Sequence, residues 1–206
     1  MGTSFFKDEK SKKGLLIVVS GPSGSGKGTV LPKVLARRKG IFFSVSATTR
    51  KPRPGEINGK HYYFLSHEEF EEKIRNGGML EYASYCGNYY GTPRFAVEEK
   101  LAGGFDVILE IEVQGAKLVK NSCPDCIAIF IAPPSEEELE KRLRGRGTEC
   151  EDVIKKRLET SVGEIRQAFD YDYIVVNDDV ETAAGKIDSI ITAEKCRSSK
   201  AELNKK

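Results

Sequence analysis

Apolar residues in this chain cluster in short unbroken runs rather than strict alternation. Leu15-Leu16-Ile17-Val18-Val19 is the first of these. Runs of this kind predict strands buried on both faces, the signature of a parallel sheet. Strands are expected over 14–20, 105–109, 127–131 and 173–176, with a further short one over 42–46. Helical stretches lie between them. One is predicted over 29–38, with Pro32 near its first turn, where proline is tolerated. Ser66 with Glu69 reads as a capping box opening a second helix, which Gly77-Gly78 should end. Thr92 is expected to cap a third, with Pro93 at its first position. Ser135 with Glu138 opens another, and a last helix should run over 180–194.

The pattern changes between residues 46 and 92. After a polar loop over 47–60 come short aromatic strands over 62–64, 79–85 and 88–90. The prediction is an α/β fold: a mainly parallel sheet flanked by helices, interrupted by a small β-rich insertion. No internal repeat or low-complexity segment is visible.

Composition narrows the function classes. A chain of 206 residues can build its own core. A net charge of +2 argues against a broad nucleic-acid-binding surface. Apolar runs are strand-sized, far short of a membrane span. The polar, lysine-rich start has neither the apolar core of a secretory signal nor, with Phe6 at position six, a myristoylation pattern. A cytoplasmic location is expected. Five cysteines, an odd number in a chain that can build its own core, argue against a disulfide framework. Cys123-Pro124-Asp125-Cys126 lacks the second ligand pair of a structural zinc site. It also leads into a strand, where a redox pair would open a helix. Incidental thiols are the expected reading.

The chemistry begins where the first strand ends. Gly21-Pro22-Ser23-Gly24-Ser25-Gly26-Lys27-Gly28-Thr29 places a glycine-rich turn between a buried strand and a helix. Glycines let backbone N–H groups approach phosphate oxygens, and the helix N-terminus adds partial positive charge. Lys27 supplies a full charge to the outer phosphates of a nucleotide. The hydroxyl usually found directly after the lysine is displaced by one position: Gly28 stands there and Thr29 follows, so Thr29 is the candidate magnesium contact. No Ser-His or Cys-His pairing supports a covalent intermediate, and neither His61 nor His67 has an obvious carboxylate partner in sequence.

A second charged loop runs Ser46-Ala47-Thr48-Thr49-Arg50-Lys51-Pro52-Arg53-Pro54-Gly55-Glu56. Two guanidinium forks on a proline-stiffened loop suit a phosphate ester. Taken alone, they also suit a solvated charged surface. Together with Gly87-Asn88-Tyr89-Tyr90-Gly91-Thr92, Glu112-Val113-Gln114-Gly115 and Arg142-Leu143-Arg144-Gly145-Arg146-Gly147, these segments resemble the guanylate kinase family. The resemblance spans about 15–194, with its motifs in order.

That resemblance implies a phosphate-loop kinase domain over 15–195: core 15–45, 93–134 and 170–195, GMP-binding insertion 46–92, and helical lid 135–169. Residues 1–14 and 196–206 would be polar tails. It implies transfer of the ATP γ-phosphoryl group to GMP, with magnesium. ATP would be held by 21–29, with Asn177 near its adenine. The GMP phosphate would meet Arg50, Arg53, Tyr62 and Tyr90. Guanine N–H groups would face Glu81 and Glu112, and its O6 would face the hydroxyls of Ser46 and Thr92. A carboxylate accepts only and a hydroxyl can donate, so this set discriminates against adenine. Lys27, Arg142, Arg146 and Arg157 would neutralise charge during transfer. Glu110, at a buried strand's end, suits a water ligand of magnesium. Glu110 and Glu112 stand where several family members carry aspartate. No nucleic acid, membrane or obligate protein partner is implied. The alternatives are a non-catalytic binding module of the same fold, against which Lys27, Arg50 and Arg53 argue, or a kinase for another nucleoside monophosphate.

Overall fold

The structure, a computed structural model, describes residues 13–85, 87–145 and 151–198. Its first strand, β1 (Leu16–Ser20), is followed by helix α1 (Lys27–Arg37) and strand β2 (Ile41–Phe43). Then come β3 (Ala47–Thr48), β4 (Tyr63–Phe64), α2 (His67–Arg75), β5 (Met79–Tyr85) and β6 (Asn88–Pro93). Helix α3 (Arg94–Ala102), β7 (Asp106–Glu110), α4 (Val113–Ser122) and β8 (Ile127–Ala132) return to the first sheet. Helices α5 (Glu136–Arg144) and α6 (Glu151–Ile165) precede a short 3-10 turn (Arg166–Asp170), β9 (Tyr173–Val176) and α7 (Val180–Lys195).

Two sheets result. The larger has order β2-β7-β1-β8-β9 and every pairing in it is parallel. The alternation of the pleat divides its side chains between two cores. Ile17 and Val19 point with Ile108, Ile129 and Ile131 toward α1 and α7, meeting Val30, Val34 and Ile187. Val18 points the other way with Val107 and Leu109, toward Val97 of α3 and Val119 of α4. Each fully buried side chain of this size contributes about 1.5–3 kcal/mol. Both faces are covered, which is why the strands read as unbroken apolar runs.

The smaller sheet has order β4-β3-β6-β5, with antiparallel β3–β6 and β5–β6 pairs and one parallel pair, β3–β4. Its own core centres on Ala47, Phe70 and Met79, with Phe70 stacked on Tyr89 at 5.2 Å. The α2 capping box forms as expected: Ser66 Oγ accepts from Glu69 N at 3.1 Å, and Glu69 Oε2 accepts from Ser66 N at 2.7 Å. The far end closes on a Schellman arrangement, with Gly77 in the left-handed region at φ 66° and Gly78 N donating to Lys73 O at 2.7 Å.

Several local expectations are corrected. Thr92 does not cap a helix. Strand β6 continues to Pro93 because Thr92 pairs with Glu81 across the sheet, and α3 starts at Arg94 without a side-chain cap. The Ser135–Glu138 box is half-formed: Ser135 Oγ accepts from Glu138 N, but the Glu138 carboxylate turns to Arg142. Helix α1 starts at Lys27 rather than 29, which puts Pro32 in its second turn. Helix α4 was not anticipated, although Val113, Ala116 and Val119 repeat at three-residue spacing and are buried. Strand β3 is two residues long and lies in what reads as loop.

Candidate active site

All five strands of the parallel sheet run in one direction, so their carboxyl ends share one edge. That edge collects Gly21 after β1, Ser46 beyond β2, Glu110 and Glu112 around the end of β7, Ser135 beyond β8 and Asn177 after β9. Ligands of open parallel sheets bind at such an edge. The segments that follow these strands share one edge for that reason.

The glycine-rich loop is shaped by its glycines at specific points. Gly26 has φ 91°, and a β-carbon there would meet Asn177 Nδ2 at 2.2 Å. One on Gly21 would meet Ile131 O at 2.2 Å. Ser25 N donates to Pro22 O at 3.1 Å, which closes the turn around Ser23 and Gly24. Lys27 folds back over the loop and donates to the carbonyls of Gly21 and Pro22. No side chain caps α1; the Gly26 carbonyl accepts from Thr29 N and Val30 N, both at 3.0 Å. Gly28 carries no neighbour within 4 Å of a would-be β-carbon, so it is open rather than constrained. Thr29 is exposed, its hydroxyl donating to Gly26 O at 3.0 Å.

Asn177 and Arg142 brace this loop. Asn177 Nδ2 donates to Ser25 O at 2.8 Å. Arg142 Nη2 donates to Asn177 O at 3.0 Å and Nη1 reaches Ser25 O at 3.5 Å, while Glu138 Oε1 accepts from its Nε at 2.9 Å. Arg157 is half-buried on α6, on the face that also carries Ser161 and Glu164 at helical spacing. Arg146 lies outside the described residues.

Carboxylates face the same region. Glu110 is exposed at the end of β7, yet its surroundings raise its pKa by desolvation, with Lys27 opposing and Glu112 adding repulsion. Glu164 shows the same pattern: burial raises it, Glu112 raises it further, and Lys27 lowers it. Glu164 was not anticipated; its place on the inner face of α6 shows only once α6 packs. Glu112 is exposed at the N-terminus of α4.

The second cluster lies on the smaller sheet. Arg50 forms a fork with Glu56, Nη1–Oε2 3.0 Å and Nη2–Oε1 2.8 Å. Its guanidinium stands 5.5 Å from the Tyr62 ring centroid, and its pKa is raised chiefly by Glu56 and to a smaller degree by Tyr90. Tyr62 and Tyr90 meet edge to face at 6.2 Å. Arg53 exposes its side chain while its N–H donates to Glu56 Oε2 at 2.7 Å. Ser46 is half-buried beside β3, its carbonyl accepting from Tyr63 N. Glu81 is buried, and Thr92 Oγ1 donates to its Oε1 at 2.7 Å. Burial pushes the Glu81 carboxyl up, and Thr92 pulls it back. Glu81 Oε2 lies against Gly115 in the first turn of α4.

Sequence reading names Glu56 and Gly115 only within motifs and Glu138 only in a capping box, and misses the contacts that Glu56, Gly115 and Glu138 make with Arg50, Glu81 and Arg142 respectively. The i, i+4 spacing of Glu138 and Arg142 was a usable signal. By contrast, Cys126 is buried and its thiol is pushed up to about 11 by desolvation, the reverse of an activated cysteine.

This arrangement has close counterparts. Residues 13–194 match the protein-family model described as guanylate kinase. The chain is 55% identical over 184 residues to the guanylate kinase of Desulfitobacterium hafniense, covering 89% of this chain and 92% of that one. It is 57% identical over 186 residues to the guanylate kinase of Lactococcus lactis, covering 90% and 91%. The crystal structure of guanylate kinase from Anaplasma phagocytophilum superposes with a TM-score of 0.73 at 35% identity, covering 94% of this chain and 93% of that one. A lysine-bearing phosphate loop, a buried Glu81–Thr92 pair on a separate small sheet and this breadth of similarity have one common explanation: the chain belongs to the guanylate kinase family.

Proposed function

We propose that this protein transfers the γ-phosphoryl group of ATP to GMP, giving ADP and GDP, with the residue roles that follow. The observation carrying the reading is the pairing of two unlike anion sites in one chain. One is a glycine loop with an uncapped helix start and Lys27. The other joins a guanidinium–phenol cluster at Arg50, Tyr62 and Tyr90 to a buried acceptor–donor pair at Glu81 and Thr92.

The loop residues 21–29 bind the donor triphosphate through backbone N–H groups, and Lys27 exchanges its carbonyl partners for phosphate oxygens. Ser25 Oγ and Asn177 Oδ1 are buried beside the loop with no hydrogen-bond partner among the described residues. Buried polar groups normally find one, so a polar ligand at this loop fits. Asn177 supports the adenine side. Arg50, Arg53, Tyr62 and Tyr90 bind the GMP phosphate. Glu81 and Glu112 accept from guanine N1 and N2, and Ser46 and Thr92 face O6. Arg142, Arg146 and Arg157 neutralise charge that grows as the phosphoryl group moves in line between its two oxygens. The mechanism needs placement and charge, with no covalent enzyme intermediate.

Magnesium suits the donor set. Among the described residues no cluster of three or more His, Cys, Asp or Glu could hold a metal by protein ligands alone. A hard cation that arrives on phosphates needs only one or two protein oxygens. The Thr29 hydroxyl and the Glu110 carboxylate, whose field is felt at Lys27, are the ones that would hold it. Bound there, it would neutralise charge on the phosphates.

The division into core, insertion 46–92 and lid 135–169 reads as three bodies that close around both nucleotides and exclude water. Gly77-Gly78 is a proposed flexing point; of the second, 145–147, residues 146 and 147 lie outside the described residues. The activity needs no nucleic acid, membrane or partner protein, and it belongs in the cytoplasm. No described helix is long and apolar enough to cross a membrane.

The test is a coupled assay with ATP and magnesium, offering GMP, AMP and UMP at equal concentration. GMP should be used at least about a hundredfold better, since mismatched buried donors and acceptors discriminate strongly. Equal use of AMP would remove the guanine pocket, and no product from any acceptor would favour a binding module.

A further inference from the structure

We propose that Glu56 is a positioning residue for the acceptor phosphate: it holds Arg50 and the Arg53 backbone at a fixed separation while leaving one edge of the Arg50 guanidinium for the phosphate. This rests on the reading that Arg50 meets the phosphate of GMP.

Three Arg50 donors have an acceptor in hydrogen-bond geometry, and Tyr90 stands near enough to raise the Arg50 pKa as well. A guanidinium has five N–H groups. One Nη1 hydrogen goes to Lys51 O at 2.7 Å, the other to Glu56 Oε2 at 3.0 Å, and one from Nη2 goes to Glu56 Oε1 at 2.8 Å. Neither acceptor takes Nε–H or the second Nη2 hydrogen. Those two share one edge of the fork, and that pair suits a bidentate phosphate contact. Glu56 therefore does not compete for the edge that the phosphate needs.

Glu56 also orders the loop around it. Its Oε2 accepts a second hydrogen bond from Arg53 N at 2.7 Å, and its own N–H donates to Arg53 O at 3.0 Å. Both members of the ion pair are largely covered, with side chains 17% and 18% exposed. The rings of Tyr62 and Phe64 stand beside the guanidinium at 5.5 and 5.8 Å. Arg50, followed by the Arg53 backbone, draws the Glu56 carboxyl down to about 2, so the strut stays charged at neutral pH. Fixing a long side chain in advance reduces the ordering cost of binding.

Glu56→Gln is the decisive variant. Whichever way the amide turns, its NH2 faces a donor, either at Arg50 or at both Arg50 and Arg53. The expected result is a rise of roughly tenfold or more in KM for GMP, with KM for ATP and kcat at saturating GMP within about twofold. In an Arg50→Lys background the same change should add less than about twofold, because Glu56 acts through Arg50. Glu56→Asp keeps the charge on a shorter arm and should recover part of the loss. An unmoved GMP constant, a full additive penalty in the Arg50→Lys background, or an Asp variant no better than Gln would each overturn the role. Parallel losses for GMP and ATP with a lowered melting temperature would mark Glu56 as merely structural and overturn it too. Turnover of GMP by the unaltered chain is measured first. Its absence would remove the acceptor reading itself, whereas normal turnover with an unmoved Glu56→Gln constant removes only the strut.

Discussion

Thr92 Oγ1 donates to Glu81 Oε1 at 2.7 Å, and the other carboxylate oxygen of Glu81 sits where a β-carbon on Gly115 would lie only 2.8 Å away. One carboxylate is thus oriented from two sides, by a cross-strand hydroxyl and by the bare first turn of α4. Gly115→Ala should crowd Glu81 and raise KM for GMP several-fold, with little change in KM for ATP. Alanine favours the helix by about 1 kcal/mol over glycine, so the melting temperature should not fall steeply. Steady-state kinetics with each substrate varied decides this; a rise shared equally by both nucleotides would break the link between Gly115 and the guanine side.

Lys27→Ala should abolish turnover, by on the order of a hundredfold or more, while the far-ultraviolet circular dichroism stays native. Lys27 donates to the carbonyls of Gly21 and Pro22 in the loop, so the fold is expected to persist in its absence. Near-normal turnover in that variant would displace the donor site from residues 21–29.

Arg142 touches the carbonyls of Ser25 and Asn177 from helix α5. Arg142→Ala should lower kcat far more than it raises KM for GMP, because its contacts lie on the donor loop. Arginines that stabilise growing charge in phosphoryl transfer are worth roughly 10³–10⁵ in rate when supplied as a finger. A variant with full kcat would return Arg142 to an ordinary helix surface role.

Phe70 is fully buried and stacked on Tyr89 in the small sheet's core. Phe70→Ala should cost about 3–5 kcal/mol through lost burial and a residual cavity. Chemical denaturation would report it. A loss below about 1 kcal/mol would show that the small sheet is not held together around that ring.

The Arg50–Glu56 pair predicts a pH dependence of stability. The Glu56 carboxyl titrates near 2 in the fold and near 4.5 without its partners, a depressed folded value. Its contribution is therefore complete above about 4.5 and lost progressively as pH falls through 2. Melting temperatures of the unaltered protein and Glu56→Gln should be furthest apart near neutral pH and converge below 4.5. Raised salt should narrow the gap, since the pair is near the surface. A separation independent of pH would assign the effect to shape rather than charge.

The parallel strands, the glycine loop, the Ser66 capping box and Lys27 were all legible in the sequence. Each depends on local physics: unbroken apolar runs, backbone freedom at glycine, a hydroxyl three residues before a glutamate. The acceptor side was legible as motifs but not as contacts, and its chemistry came through resemblance. Thr92 shows the difference. Threonine before proline reads as a helix cap, yet pairing with Glu81 across β5 and β6 keeps it in a strand and turns its hydroxyl to a carboxylate. Glu138 was likewise diverted from its own capping box to Arg142. The contacts of Glu56, Gly115 and Glu164 carry no local signal, because their partners come from a loop turn, another element or the packing of a helix. What the chain determined alone was most of the strands and helices and the chemistry of the glycine loop, since neighbours in sequence decide those. Which polar groups face each other was settled only by tertiary packing, when the parallel strands brought their carboxyl ends to one edge and the smaller sheet set Thr92 across from Glu81, since distance in space, not along the chain, sets a hydrogen bond.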